Sequence, residues 1–300
     1  YVPLGVSGTH EPIDELLHSS WLGTSQYQDA KATVQALADY FCDWLIVDHY
    51  ALDERWENAV RVCCKKLMVI DDLADRQHDC DMLLDQNYYV DMQARYNDKV
   101  TRDCKLLLGP HYSLLRGEFR VLRDTARLRI GGVKRILVFF GGVDAGNCTS
   151  LAIQVLVELS ITLHVDVVIG AQHPFKEQIQ NACIRYGYAC HVQTPRIAEL
   201  MVSADVAIGA GGSASWERCC LGLPALIVSL ADNQVAIAES LDSIGACFYI
   251  GTAEALSKVR LRRIITTLLK MPDQILNASK NAFALVDGVG ASRVCRAMEY

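Results

Sequence analysis

The sequence predicts an α/β protein made of two Rossmann-like, doubly wound domains. Three observations predict this. Apolar runs of strand length alternate with amphipathic stretches of helix length along the chain. Each run is apolar throughout rather than every second residue, the pattern of strands covered on both faces, as in parallel sheets. The alternation also occurs twice, interrupted by a basic stretch at 110–132.

At 300 residues the chain is long enough for two domains, and 51% hydrophobic residues can fill two cores. No apolar stretch approaches the roughly 18 residues of a membrane span. The formal net charge is −6 with no basic stripe, which argues against a nucleic-acid partner. The twelve cysteines form no CxxC pair, so the spacing does not suggest structural zinc. Reduced, buried cysteine in a cytoplasmic monomer is the expectation. The chain begins at Tyr1 without an initiator methionine, and a missing preceding segment is expected.

The elements are expected in this order. DWLIVDHY (43–50) is a strand, followed by a helix near 53–64. KLMVIDD (66–72), DMLLDQN (81–87) and KLLLG (105–109) are further strands. PHYSLLRGEFRVLRDTARLRIGG (110–132) carries a short helix and reads as a connection, giving domains at 1–115 and 134–300 with a linker at 116–133. The second series runs RILVFFGG (135–142), a helix at 147–159, HVDVVIG (164–170), a helix near 174–186, a strand near 188–192 and a helix near 196–202. ADVAIGAGG (204–212) and PALIVSL (224–230) complete the strands, and helices close the chain from 254.

In doubly wound sheets ligands sit outside the carboxyl ends of the strands. Four such ends carry candidate chemistry. FFGGVDAGN (139–147) ends a strand in Gly141-Gly142 and starts a helix near Asn147. Glycines admit an anion close to the backbone, and a helix start offers N–H groups. An ordinary turn capped by Asp144 or Asn147 is the competing reading. GAGGSASWE (209–217) repeats the pattern: Gly211 and Gly212 leave space for a phosphate, and Ser213 or Ser215 caps the helix. Glu217, one turn in, is placed to accept from two adjacent ribose hydroxyls, or only to complement the helix dipole. In SLADNQ (229–234), Asp232, Asn233 and Gln234 either contact sugar hydroxyls or cap the next helix.

The fourth end is VDHY (47–50), where Asp48, His49 and Tyr50 emerge together. His49 is the residue type of a general base near neutral pH, and Tyr50 suits a hydrogen bond to a sugar or leaving phosphate. The acid-rich stretch 70–87 suggests a divalent metal less well than strand-end capping by Asp71 and Asp72 with Arg76 paired to an acid. SGTH (7–10) reads as a loop holding His10. No G-x-S-x-G or HExxH motif occurs.

The pattern GGSASWE, GLP and DNQ resembles the GT-B nucleotide-sugar proteins, including the transferases that form lipid II. Together with VDHYALDERWE, IDDLADRQHDCDMLLDQN, LLLGPHYSLLRGEFR and FFGGVDAGN, it resembles the UDP-2,4-diacetamido-2,4,6-trideoxy-β-L-altropyranose hydrolases of pseudaminic acid biosynthesis, from about Trp21 to the C-terminus. The resemblance implies two Rossmann-like domains in a GT-B arrangement, with the nucleotide on the C-terminal domain and the sugar on the N-terminal side of a cleft. It implies inverting attack of water at the anomeric carbon, release of UDP, no metal, no cofactor, and a product used in flagellin glycosylation. By position, Glu217 takes the ribose, and Gly142, Gly211, Gly212 and Ser213 lie by the diphosphate, with Gly141 and Ser215 as further substrate-binding candidates. Tyr50 and Asn233 face the sugar, flanked by Asp232 and Gln234.

The family opens with a glycine-rich G-x-G-H-x-x-R loop whose histidine is the expected base. SGTHEP (7–12) departs from that pattern, so an incomplete N-terminal domain is expected. Two alternatives to the hydrolase follow: a GT-B glycosyltransferase using a UDP-sugar donor, or a UDP-binding remnant without turnover.

Overall fold

The computed structural model describes residues 16–159 and 161–299, so His10 and SGTHEP lie outside the described residues. The chain divides into two compact units, Tyr1–Tyr112 and Ser113–Tyr300.

In the first unit, α1 (Gln26–Ala36) precedes β1 (Cys42–Val47), α2 (Glu54–Val60), β2 (Cys64–Ile70), β3 (Met82–Asp85) and β4 (Lys105–Leu108). The sheet is parallel in the order β1-β2-β3-β4. That one-way order is half of a doubly wound sheet. Both helices are capped at their start: Ser25 accepts from the Gln28 N–H, and Asp53 from the Arg55 N–H. The Trp56 indole N–H donates to Asp29 at 2.8 Å, tying α2 to α1. Val47, Leu67, Val69 and Leu83 fill the core beneath them.

The second unit opens with α3 (Gly117–Arg123). It continues β5 (Arg135–Phe139), α4 (Cys148–Val157), β6 (His164–Ile169), α5 (Lys176–Tyr186), β7 (Ala189–Val192), α6 (Ile197–Ser203), β8 (Val206–Ala210), α7 (Ala214–Cys220), β9 (Ala225–Ser229), α8 (Val235–Ser243) and β10 (Phe248–Thr252). The helices α9 (Lys258–Leu268), α10 (Pro272–Leu285) and α11 (Gly290–Met298) close it. The sheet is parallel, in the order β10-β9-β8-β5-β6-β7. Renumbered from β5, that is the dinucleotide-binding order 3-2-1-4-5-6, and it reverses between β5 and β8. Val138, Val167, Ile208 and Leu226 from the sheet pack on Ile153, Ile179 and Ile265 from the helices. The strand β10 is an addition to the sequence reading, which placed only helices near the end of the chain.

The segment read as a linker is built into the second unit instead. Arg123 donates to the carbonyls of Cys220 (2.6 Å), Phe283 (2.8 Å) and Val286 (2.7 Å). Arg129, 6% exposed, donates to the carbonyls of Ala204, Leu221 and Met201. These carbonyls lie at the C-terminal ends of α6, α7 and α10, where the last turn of a helix leaves acceptors unpaired. The stretch is basic because its guanidinium groups satisfy helix ends.

No helix among the described residues is long and apolar enough to cross a membrane. All twelve cysteines are free thiols.

Candidate functional site

The reversal of strand order in the second unit puts two glycine turns side by side. Gly141-Gly142 follows β5 and Gly211-Gly212 follows β8. Gly141 has φ +89° and Gly212 φ +80°, a region that glycine enters without steric cost. Two further glycines make the turns fit. A Cβ on Gly209 would lie 2.0 Å from the Phe139 carbonyl oxygen, and one on Gly170 would lie 2.3 Å from that of Gly142. A cavity of about 220 Å³ opens beside the first turn, lined by Phe139, Gly142, Gly170, Gln193, Thr194, Arg116 and Glu217, and Gly141, Gly211, Gly212 and Ser213 lie outside its lining.

Glu217 is the carboxylate of this cavity. Its side chain is 21% exposed, and burial raises its pKa. Arg116 opposes that shift from 3.9 Å and is itself held by Glu118 at 2.9 Å. A carboxylate desolvated in this way is a strong acceptor for paired hydroxyls. A nucleoside sugar presents such hydroxyls.

Three capping assignments need correction. Ser213 stands at the start of α7 without a side-chain cap bond. Ser215 is buried and turned inward, where it accepts from Arg218 at 3.1 Å, while the same guanidinium donates to the Ala210 carbonyl at 2.6 Å. Ser215 therefore braces α7 against the end of β8 and does not line the cavity. At the other turn, the Asp144 carboxylate accepts from the N–H groups of Cys148 (3.0 Å) and Thr149 (2.8 Å). The first turn of α4 is thus closed to an anion, and Asn147 makes no side-chain cap bond.

Asp232, Asn233 and Gln234 form a single 3₁₀ turn after β9. Asp232 and Asn233 are exposed, and neither caps α8. Gln234 accepts from the Leu230 N–H at 3.0 Å. Its side chain also lies against Gly211, where an added Cβ would meet it at 3.3 Å. Gln234 therefore shapes the glycine turn.

In the first unit, Asp48, His49 and Tyr50 follow β1, Asp71 and Asp72 follow β2, and Asn87 follows β3. The Tyr50 hydroxyl donates to Asp72 Oδ1 at 2.7 Å, and the Asn87 amide donates to Asp72 Oδ2 at 2.9 Å. Burial, then Asp72, pushes the Tyr50 phenol well above its ordinary range, so it stays protonated. The Ala51 N–H donates to His49 Nδ1 at 3.1 Å. That bond occupies Nδ1 and leaves Nε2 as the ring nitrogen open to a further partner.

The acids of 70–87 are matched to partners. Arg76 pairs with Asp71 at 2.8 Å, and His78 with Glu57 at 2.6 Å. Tyr96 Oη lies 3.1 Å from both Asp71 Oδ2 and Asp85 Oδ2. Burial pushes the Asp85 carboxyl up to about 7, against the Asn87 N–H and Arg95. Among the described residues no group of three His, Cys, Asp or Glu side chains is placed to hold a metal ion.

Residues 135–292 match the model of the glycosyltransferase family 28 C-terminal domain, more than half of the chain. The chain belongs to that family. Relatives extend the likeness forward. It is 28% identical over 212 residues to the spore coat polysaccharide biosynthesis protein SpsG of Bacillus subtilis, covering 69% of this chain and 61% of that protein. It is 26% identical over 195 residues to the uncharacterized protein MJ1062 of Methanocaldococcus jannaschii, covering 62% of this chain and 40% of that one. The chain thus spans less than two thirds of either relative. It is 25% identical over 203 residues to the UDP-2,4-diacetamido-2,4,6-trideoxy-β-L-altropyranose hydrolase of Campylobacter jejuni, covering 67% of this chain and 71% of that enzyme. Among solved structures, MurG of Acinetobacter baumannii superposes with TM-score 0.61 at 14% identity, covering 96% of this chain and 82% of MurG. Anabaena HepE in complex with UDP superposes with TM-score 0.54 at 14% identity, covering 90% and 81%. These structures share the fold: two parallel-sheet α/β domains of GT-B type.

The sequence reading missed Arg116, Gly170 and the bond of Asp72 to Tyr50, whereas the cap by Asp144 was one of its two readings of the first turn. Gly170 ends an apolar strand and was legible as such. Arg116 and Asp72 reach their partners only through the fold.

Proposed function

We propose that this family 28 chain is a UDP-sugar enzyme that transfers the sugar to water. The observation that supports it is the pair of glycine turns at the strand-order reversal, with Glu217 in the cavity that Gly142 lines. The glycine turn before α7 suits a diphosphate, beside the side-chain-free Gly142, and the Glu217 carboxylate suits the two ribose hydroxyls. The hydrolase of Campylobacter jejuni supports water as acceptor. Gly142, Gly211, Gly212 and Ser213 are assigned to the diphosphate, and Tyr50 and Asn233 to the sugar.

In the proposed step, the water oxygen bonds to the anomeric carbon while the bond from that carbon to the phosphate oxygen breaks. The electron pair leaves with UDP. The water proton passes to Tyr50 Oη as the Tyr50 proton moves to Asp72 across 2.7 Å. The products are UDP and the free sugar.

Transfer to another saccharide is the second reading, favoured by membership of a glycosyltransferase family. Two experiments test the proposal. Calorimetric titration with UDP should show binding that Glu217→Ala weakens about tenfold, or ~1.4 kcal/mol. Incubation with the UDP-trideoxy sugar, with and without a saccharide acceptor, should release UDP and free sugar in both cases. Release only with an acceptor identifies a transferase. Absence of UDP binding removes the nucleotide-sugar reading.

A further inference from the structure

Two thiols of the first unit lie together, away from the carboxyl ends of its strands. Cys80 Sγ and Cys104 Sγ are 3.6 Å apart. Cys80 precedes β3 and Cys104 precedes β4, two neighbouring parallel strands. The two segments are paired on both sides of the thiols: His78 bridges Val100 before them, and Met82 pairs with Lys105 after them. The His78 N–H donates to the Lys99 carbonyl at 2.8 Å, and the Lys105 N–H to the Asp81 carbonyl at 2.9 Å. The backbone at each sulfur is therefore held in place. Paired strands run about 4.8 Å apart, inside the roughly 4.4–6.8 Å between Cα atoms that a disulfide spans. Closing the sulfurs from 3.6 Å to about 2.05 Å is within the reach of side-chain rotation, with the strands left where they are.

Exposure and hydrogen bonding give the two sulfurs different roles. Cys80 is 1% exposed, whereas Cys104 is half-buried and follows the exposed residues Thr101, Arg102 and Asp103. Eight of the twelve cysteines are buried, so an oxidant dissolved in water meets few of them. The Cys80 S–H, donating to the Cys104 sulfur, holds Cys104 below the ordinary thiol range against its partial burial, and the Arg61 charge assists. The same bond, and then burial, pushes the Cys80 thiol up. A thiolate open to solvent beside a protonated thiol shut from it is the arrangement of an attacking and a resolving cysteine.

We propose that Cys80 and Cys104 form an oxidation site for hydrogen peroxide, with Cys104 as the attacking sulfur and Cys80 as the resolving one. The Cys104 thiolate bonds to one peroxide oxygen, the O–O bond breaks, and hydroxide leaves and takes up a proton as water. Cys104 is then a sulfenic acid. The Cys80 sulfur gives up its proton and bonds to the Cys104 sulfur, while the S–O bond breaks and a second water leaves. In sum, two thiols lose two electrons and two protons, and the peroxide is reduced to two waters. The new bond closes the segment 81–103, which supplies the Asn87 amide to the Asp72 carboxylate at 2.9 Å and the Arg95 guanidinium to the Asp72 carbonyl at 2.6 Å. The inference lies wholly within the first unit and stands apart from the UDP-sugar reading.

The test treats the reduced full chain with hydrogen peroxide, blocks remaining thiols with iodoacetamide and maps tryptic peptides without reduction. Expected is peptide 77–95, which carries Cys80, joined to peptide 103–105, which carries Cys104, with dithiothreitol separating them. The joined pair should weigh about 2 Da less than the sum of its two thiol peptides, the two hydrogens lost. In Cys80→Ala, Cys104 should stop at the sulfenic acid and take up dimedone. In Cys104→Ala, Cys80 should stay a thiol. Circular dichroism checks that both variants fold, and the wild-type map needs neither of them. Peptides that stay unlinked while the exposed Cys295 is oxidised overturn the site. So does a bond between Cys183 and Cys190, a thiol pair of the second unit, formed in place of this one. Dimedone on Cys80 in Cys104→Ala, with none on Cys104 in Cys80→Ala, overturns the assignment of roles.

Discussion

Asp85 ends β3 and Asp72 follows the neighbouring β2, yet their surroundings give them opposite duties. Asp85 is enclosed, and burial lifts its carboxyl to about 7 from an ordinary value near 4. A carboxyl raised on folding binds its proton more tightly in the folded chain than in the unfolded one. Stability from this group is therefore present below about pH 4 and is lost as pH rises toward about 7. Asp85→Asn should flatten that decline, and denaturant midpoints measured from pH 4 to 7 check it. A variant with the wild-type pH slope would exclude Asp85 as its source. Asp72 holds the Tyr50 hydroxyl. Asp72→Asn should lower kcat by about a hundredfold, the scale of lost proton transfer, and leave UDP affinity unchanged. A matching loss of UDP affinity would mean that the change acts beyond the proposed relay. Tyr50 was legible as a strand-end residue. Asp72 was seen only as a capping acid, because the residue it serves lies on a different strand.

At the level of elements, strands were the most legible parts of the chain. The runs at 135–142, 164–170 and 204–212 are largely apolar because helices cover both faces of the second sheet. β10 reads FYIGT and escaped notice, since its burial is incomplete and its apolar run is short. The helix starts were misread where a serine was taken as the cap. Ser215 satisfies Arg218 instead, and Asp144 reaches the N–H groups of α4 from three residues before its N-cap residue Asn147. Composition identifies a residue able to cap but not the direction of its side chain. Two predictions belong to this scale. Gly209→Ala should cost about 1–3 kcal/mol or more, because its Cβ would meet a neighbouring strand's carbonyl that cannot rotate away. The same change should weaken UDP binding by displacing the second glycine turn. Chemical denaturation and titration read the two effects, and near-wild-type values in both would contradict the packing argument. Arg129→Met should cost about 3 kcal/mol or more, since it leaves several buried helix-end carbonyls unpaired. A loss under about 1 kcal/mol would show that water replaces the guanidinium.

Over the whole molecule, two cores have formed around two sheets, each within one unit. A ligand held by the second unit should stabilise that unit directly. UDP at a hundred times its dissociation constant is expected to add about 2.7 kcal/mol to its stability. Calorimetric scans with and without UDP should therefore show an upward shift in the transition assigned to residues 113–300. An unchanged thermogram at saturating UDP would count against the site.

Residue order and composition by themselves determined that this is a parallel α/β chain in two parts, with glycine turns at strand ends and a carboxylate one helical turn beyond the second. Those features depend on local periodicity and on backbone conformations that few residues adopt. The tertiary structure decided that the β5 and β8 turns are neighbours, that the basic stretch belongs to the second unit, and that Tyr50 rests on Asp72. Each of these depends on strand order or on contacts between residues far apart in the chain, and no local pattern encodes which strand becomes whose neighbour.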